Sequence, residues 1–87
     1  MTQLFLEHKV YKNKGNGVQI YTCQEKMGCN LFAVQLSTFM NEDDAVEAMK
    51  QHDHYQADML VSFTTNPDVE WFPTIEKAIA AHDEDFN

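Results

Sequence analysis

From Gln3 to Lys12 the chain alternates. Leu4, Leu6, His8, Val10 and Lys12 hold one parity, and Gln3, Phe5, Glu7, Lys9 and Tyr11 hold the other. A period of two is that of a strand, whose successive side chains point to opposite faces. The parity of Leu4, Leu6 and Val10 is predicted to face the core, with Phe5 and Tyr11 as apolar exceptions on the polar side. Asn13-Lys14-Gly15-Asn16-Gly17 then predicts a tight hairpin, because Asn and Gly tolerate the positive φ such turns need. Val18, Ile20 and Thr22 alternate with Gln19, Tyr21 and Cys23 in a second strand. Glu25-Lys26-Met27-Gly28 turns the chain again. Leu31 to Thr38 is a third strand, with Phe32, Val34 and Leu36 inward.

The period changes at Asn41. Asn41 is a good N-cap, Glu42, Asp43 and Asp44 suit the positive end of a helix dipole, and Met40 and Ala45 can form a hydrophobic staple. The spacing predicts a helix over 42–53 with Ala45, Val46, Met49 and His52 inward. Met59, Val61 and Phe63 alternate again and predict a fourth strand, which Asn66-Pro67-Asp68 ends. Trp71-Phe72-Pro73 leads into a last helix over 74–84, with Ile75, Ala78, Ile79 and His82 on one face and Phe86 one turn further along. The order is β-β-β-α-β-α. It implies an α+β fold, an antiparallel sheet of about four strands with two helices on one face. Glu47-Ala48-Met49-Lys50-Gln51-His52-Asp53 faintly echoes Lys77-Ala78-Ile79-Ala80-Ala81-His82-Asp83. The match is too short to count as a repeat.

Eighty-seven residues, 23% charged and 44% hydrophobic, are the length and balance of a single globular domain, 1–87. No apolar run can span a bilayer, and Leu4-Phe5-Leu6 meets Glu7 and His8 too soon to resemble a signal peptide. Two cysteines without an export signal point to free thiols in a reducing cytoplasm.

Charge changes the picture more. The net charge is −8, from six lysines and no arginine against fourteen carboxylates. Residues 1–40 carry +2 and residues 41–87 carry −10. An acidic surface repels nucleic acid and anionic lipid and attracts basic protein grooves. Without arginine there is no planar fork to grip phosphate in two places. Direct nucleic-acid binding and membrane association are therefore not expected.

The residues that could carry chemistry do not assemble into a known constellation. Cys23 and Cys29 lie too far apart in sequence for a zinc knuckle, and His52 and His54 diverge on a helix. A catalytic thiol needs an electropositive setting and a third group, and paired acids need unequal surroundings to separate their pKa values. Gly15-Asn16-Gly17 opens a strand and not a helix, so it is no phosphate loop. No metal, no cofactor and no catalytic residue is expected, and the chain is read as a non-enzyme.

What remains is interaction. The carboxylates are Glu42, Asp43, Asp44, Glu47, Asp53 and Asp58, then Asp68, Glu70, Asp83, Glu84 and Asp85, with Glu76 between. Helical acids three or four apart stand roughly 5–6 Å from one another, about the spacing of backbone phosphates. Trp71, with Tyr55 and Phe72, could anchor an interface, although Trp71 beside Pro73 is expected rather to seat the last helix. In size, charge and lack of arginine the chain is similar to phage and mobile-element inhibitors of the anti-CRISPR and anti-restriction type. That similarity implies a partner, a protein or complex with a basic surface, blocked by nucleic-acid mimicry. A homodimeric adaptor, joined through a sheet edge or through Phe5 and Tyr11, is the alternative. Gly28-Cys29 ahead of Glu42-Asp43-Asp44-Ala45 resembles HicB-type antitoxin domains. The strand Leu31–Thr38 between them departs from that spacing, and the family is not assigned.

Overall fold

A computed structural model describes residues 2–86; the side chain of Phe86, expected on the last helix's inner stripe, lies outside the described part. Three strands, β1 (Phe5–Lys14), β2 (Gly17–Lys26) and β3 (Leu31–Asn41), are followed by two helices, α1 (Ala45–Thr65) and α2 (Ile75–Phe86). The strands form one antiparallel sheet in the order β1-β2-β3. The fold is α+β, with the order β-β-β-α-α.

The first hairpin follows from its glycines. Gly15 takes φ 65° while Asn16 keeps a negative φ, as in a two-residue II′ turn with glycine first. Gly17 then lets β2 and β3 approach, since a Cβ there would overlap the Phe39 ring and the Met40 carbonyl oxygen. Between β2 and β3 the register shifts at Thr22 and Cys23, which lie opposite Leu36 and Val34 and leave Gln35 as the extra residue of a bulge. Gln35 is buried and satisfied: it accepts from Gln24 Nε2 at 2.9 Å and donates to the Gln56 carbonyl at 2.8 Å.

The predicted fourth strand is helix. Met59 and Val61 are 45% and 72% exposed, so the alternation marks no buried face. Inward positions include Ala45, Ala48, Met49, His52, Gln56, Leu60 and Phe63, most of them three or four apart. Two of these are polar, which hid the stripe. No Gly or Pro interrupts residues 45–65, so the helix runs on until Asn66 turns extended ahead of Pro67. At its other end the helix begins at Ala45, not 42. Asn41 ends β3, and its Oδ1 accepts the amides of Asp43 and Asp44 at 3.0 and 3.3 Å, closing a turn before the helix.

The helices also lie on opposite faces of the sheet. His52 of α1 bonds Thr22 and Thr38, whereas α2 bonds Tyr21 and Ser37, one residue along each strand. Neighbours on a strand point to opposite sides, so each helix covers its own face. The chain passes between faces around the β3 edge. There Phe72 and Phe32 exchange amide hydrogen bonds of 2.7 and 2.8 Å in an isolated bridge.

Covering both faces buries the middle strand on both parities: Ile20, Tyr21, Thr22, Cys23 and Gln24 are all buried. The edge strand β1 is left thinly covered. Leu4 and Leu6, expected in the core, are 61% and 47% exposed. Val46 of α1 is likewise exposed, and on β3 Ala33 and Gln35 are buried more deeply than Phe32, Val34 and Leu36. On α2, Ala78 is buried and Ile75, Ile79 and His82 are half-buried, as the spacing predicts.

Candidate functional site

Each helix is fixed to the sheet by a His-Asp pair. In the middle of α1, His52 is fully buried, its Nε2 2.6 Å from Thr22 Oγ1 and its Nδ1 2.7 Å from Thr38 Oγ1. A neutral imidazole has one donor and one acceptor, and a hydroxyl can complement either. Burial holds the His52 pKa below its ordinary value, helped by the Lys9 cation and opposed by Asp53 and Glu7. The next residue, Asp53, accepts from Lys9 Nζ on β1 at 2.7 Å. That hydrogen bond lowers the Asp53 pKa and raises that of Lys9.

On the other face, His82 Nε2 lies 2.7 Å from Ser37 Oγ, and the imidazole meets the Tyr21 ring edge-on. Burial lowers its pKa against the pull of Asp83 and Asp85. Asp83 accepts from Lys12 Nζ at 2.8 Å and from the Tyr21 hydroxyl at 2.7 Å. The echo between residues 47–53 and 77–83 thus has a physical meaning. In both, Ala-x-x-x-His-Asp seats a small residue, then places histidine on a β3 hydroxyl and aspartate on a β1 lysine. His82 lies near the C-terminal end of α2, where positive charge would suit the helix dipole. His52 is in mid-helix, and burial disfavours the charged form of each.

These anchors divide the predicted interaction residues. Asp53 and Asp83 are committed to internal ion pairs. Asp58 lies 3.3 Å from His54, and Glu47 lies 3.9 Å from Lys50, both on the exposed side of α1. Glu42, Asp43 and Asp44 share the exposed turn before α1, where Asp44 Oδ1 also accepts the Asn41 amide at 3.0 Å. Asp68 and Glu70 lie in the loop between the helices, and Glu84 and Asp85 end α2. Because the helices occupy opposite faces, these acids form separate clusters and not one stripe.

Trp71 is packed within the molecule. Its ring centroid lies 5.9 Å from both Phe5 and Phe63, and Lys26 Nζ sits 4.7 Å above it. It closes the end of α1 on the sheet, instead of seating α2. Tyr55 stays exposed beside His54. Cys23 is fully buried, and desolvation pushes its thiol pKa up to about 11. Cys29 is exposed on the turn.

Concavities are shallow. One open depression of about 380 Å³ is lined by the first hairpin turn, Met40, Asn41, Glu42 and Ala45. A smaller one of about 140 Å³ lies between α2 and the sheet, with His82, Glu70 and Asp85 on its wall. Among the described residues no three His, Cys, Asp or Glu side chains converge in a way that could hold a metal ion. No helix among them is long and apolar enough to cross a membrane. No protein-family model, curated protein or solved structure matches the chain.

Proposed function

We propose that the chain is a small non-enzymatic protein-binding module that sets exposed carboxylates against a basic surface. The target in this reading is a nucleic-acid-handling protein or complex, and the module inhibits it by occupying or mimicking the nucleic-acid path, as anti-CRISPR and anti-restriction inhibitors do. The supporting observation is how the lysines are used. Lys9 and Lys12 turn onto Asp53 and Asp83, and Lys26 lies over Trp71. Glu42, Asp43, Asp44, Asp68, Glu70, Glu84 and Asp85 are left exposed, with no cation within ion-pair distance among the described residues. Glu42 to Asp44 stand where the positive end of α1 stabilises negative charge, so this cluster keeps its full charge at little cost to the fold.

The test is affinity capture from the native host's lysate on immobilised wild-type chain and on Glu42→Lys/Asp43→Lys/Glu47→Lys. Asp44 is kept because its carboxylate closes the turn. The expected result is a nucleic-acid-binding complex held by the wild type at low salt, released by a salt step and missing from the variant beads. Equal retention by the variant, or a partner indifferent to salt, overturns the electrostatic reading.

A further inference from the structure

β1 carries an open edge along its whole length. Its register with β2 is constant, from Lys14 opposite Gly17 to Phe5 opposite Lys26. A two-residue hairpin closes on a hydrogen-bonded pair, here Lys14 and Gly17. At the far end the Met27 amide donates to the Leu4 carbonyl at 2.9 Å. Bonded and non-bonded pairs alternate along an antiparallel ladder. Even-numbered residues of β1 therefore bond to β2, and Phe5, Glu7, Lys9, Tyr11 and Asn13 turn N–H and C=O outward. Among the described residues no hydrogen bond reaches those outward backbone groups. Both helices pack chiefly against β3, the far strand, and reach β1 only through side chains, Gln56 donating to Glu7 at 2.7 Å and Asp53 and Asp83 accepting from Lys9 and Lys12, none of which occupies an outward backbone group.

We propose that the edge pairs with the same edge of a second copy, antiparallel about a twofold axis at His8, joining two three-stranded sheets into one of six. In this register Glu7 of each copy stands opposite Lys9 of the other, Phe5 opposite Tyr11, and Leu6 opposite Val10. The pairs 7/9 and 5/11 join outward-facing residues, so the two strands exchange about eight backbone hydrogen bonds. Sliding the partner by two residues sets Glu7 against Glu7 or Lys9 against Lys9, and like charges directly opposite are destabilising. A slip of one residue mismatches the outward amides. Lysines on an edge strand ordinarily discourage pairing; on β1 they select one register. Leu6 and Tyr11, 47% and 56% exposed in the single chain, each gain an apolar neighbour. The contact is isologous and closes at two copies. It is independent of the acidic clusters, so either proposal can fail alone.

The experiment is sedimentation equilibrium on the full chain between roughly 1 and 200 micromolar, a span that brackets weak to moderate self-association. The expected wild-type species is a dimer. Glu7→Lys alone and Lys9→Glu alone each set like charges opposite one another and are expected to weaken dimerisation by at least about tenfold. Mixing these two variants makes every 7/9 pair opposite in charge again and is expected to restore a dimer, now mixed. Tyr11→Pro removes an outward amide without touching the bonds to β2, so circular dichroism should stay native-like while the dimer is lost. A wild-type monomer at the highest concentration overturns the proposal. So does a mixture that stays monomeric although both charge variants are native-like by circular dichroism, or a Tyr11→Pro variant that still dimerises.

Discussion

His52 and His82 bond to neighbouring residues of one strand, Thr38 and Ser37, from opposite sides of the sheet. Because Thr38 and Ser37 point opposite ways, one short stretch of β3 fastens both helices. The aspartate after each histidine does the same to β1 through Lys9 and Lys12. Three strands are thereby tied to two helices largely by polar side chains, which suits a chain too short for a thick apolar core.

Removing an anchor should be costly. His52→Ala opens a cavity under α1 and leaves the buried Thr22 hydroxyl and the half-buried Thr38 hydroxyl without their shared partner. The expected loss is about 2–4 kcal/mol, from the cavity and the unmade hydrogen bonds together. Urea denaturation measures it, and a loss below about 0.5 kcal/mol, the size of a surface substitution, would count against the anchoring role.

Acid should weaken the fold in two stages. The buried His52 and half-buried His82 imidazoles are both held below 6.5, so the unfolded chain takes up protons first as the pH falls. Their contribution is complete above 6.5 and declines through the interval below it. Asp53 and Asp83 are held below 3.8. Their contribution is present above that value and is lost only as the pH falls through their depressed pKa values. The urea midpoint is expected to drop between pH 7.5 and 5 and again below pH 4. His52→Asn with His82→Asn should flatten the first drop and spare the second. A wild-type midpoint unchanged between pH 7.5 and 5 sinks this account.

Residues 59–63 discriminate helix from strand. Val61 is 72% exposed on α1, and Phe63 packs on Trp71. Val61→Glu is expected to change stability by no more than about 0.5 kcal/mol, and Phe63→Ala to cost about 2–3 kcal/mol. If Val61→Glu proves as damaging as Phe63→Ala, the helical assignment of this segment fails.

The two thiols should react at very different rates. Cys29 is exposed, whereas Cys23 is fully buried with its pKa raised to about 11. Since the thiolate is the nucleophile, iodoacetamide is expected to label Cys29 in the native protein and Cys23 only after unfolding. Mass spectrometry of the native reaction reads this directly, and prompt double labelling would contradict the buried position of Cys23.

Much of the local structure was legible in the sequence, because local signals carry it. The alternation from Gln3 to Thr38 and the glycines at 15, 17 and 28 suffice for a three-stranded meander. The capping and turn residues near Asn41 and Pro73 locate the start of α1 and both ends of α2 to within a few residues. The acidic imbalance, and the exposed turn of Glu42, Asp43 and Asp44, are likewise plain from composition. The end of α1 was not legible, because its inner stripe passes through His52 and Gln56, whose polarity is offset only by partners on β2 and β3. The face each helix covers was decided by the route around the β3 edge at Phe32 and Phe72, a contact forty residues apart that no local pattern encodes. That route buried β2 on both sides, left β1 open, and set Asp53 and Asp83 against Lys9 and Lys12 as ties between helix and sheet. Such pairings depend on which residues meet across the fold, and only the tertiary structure brings them together.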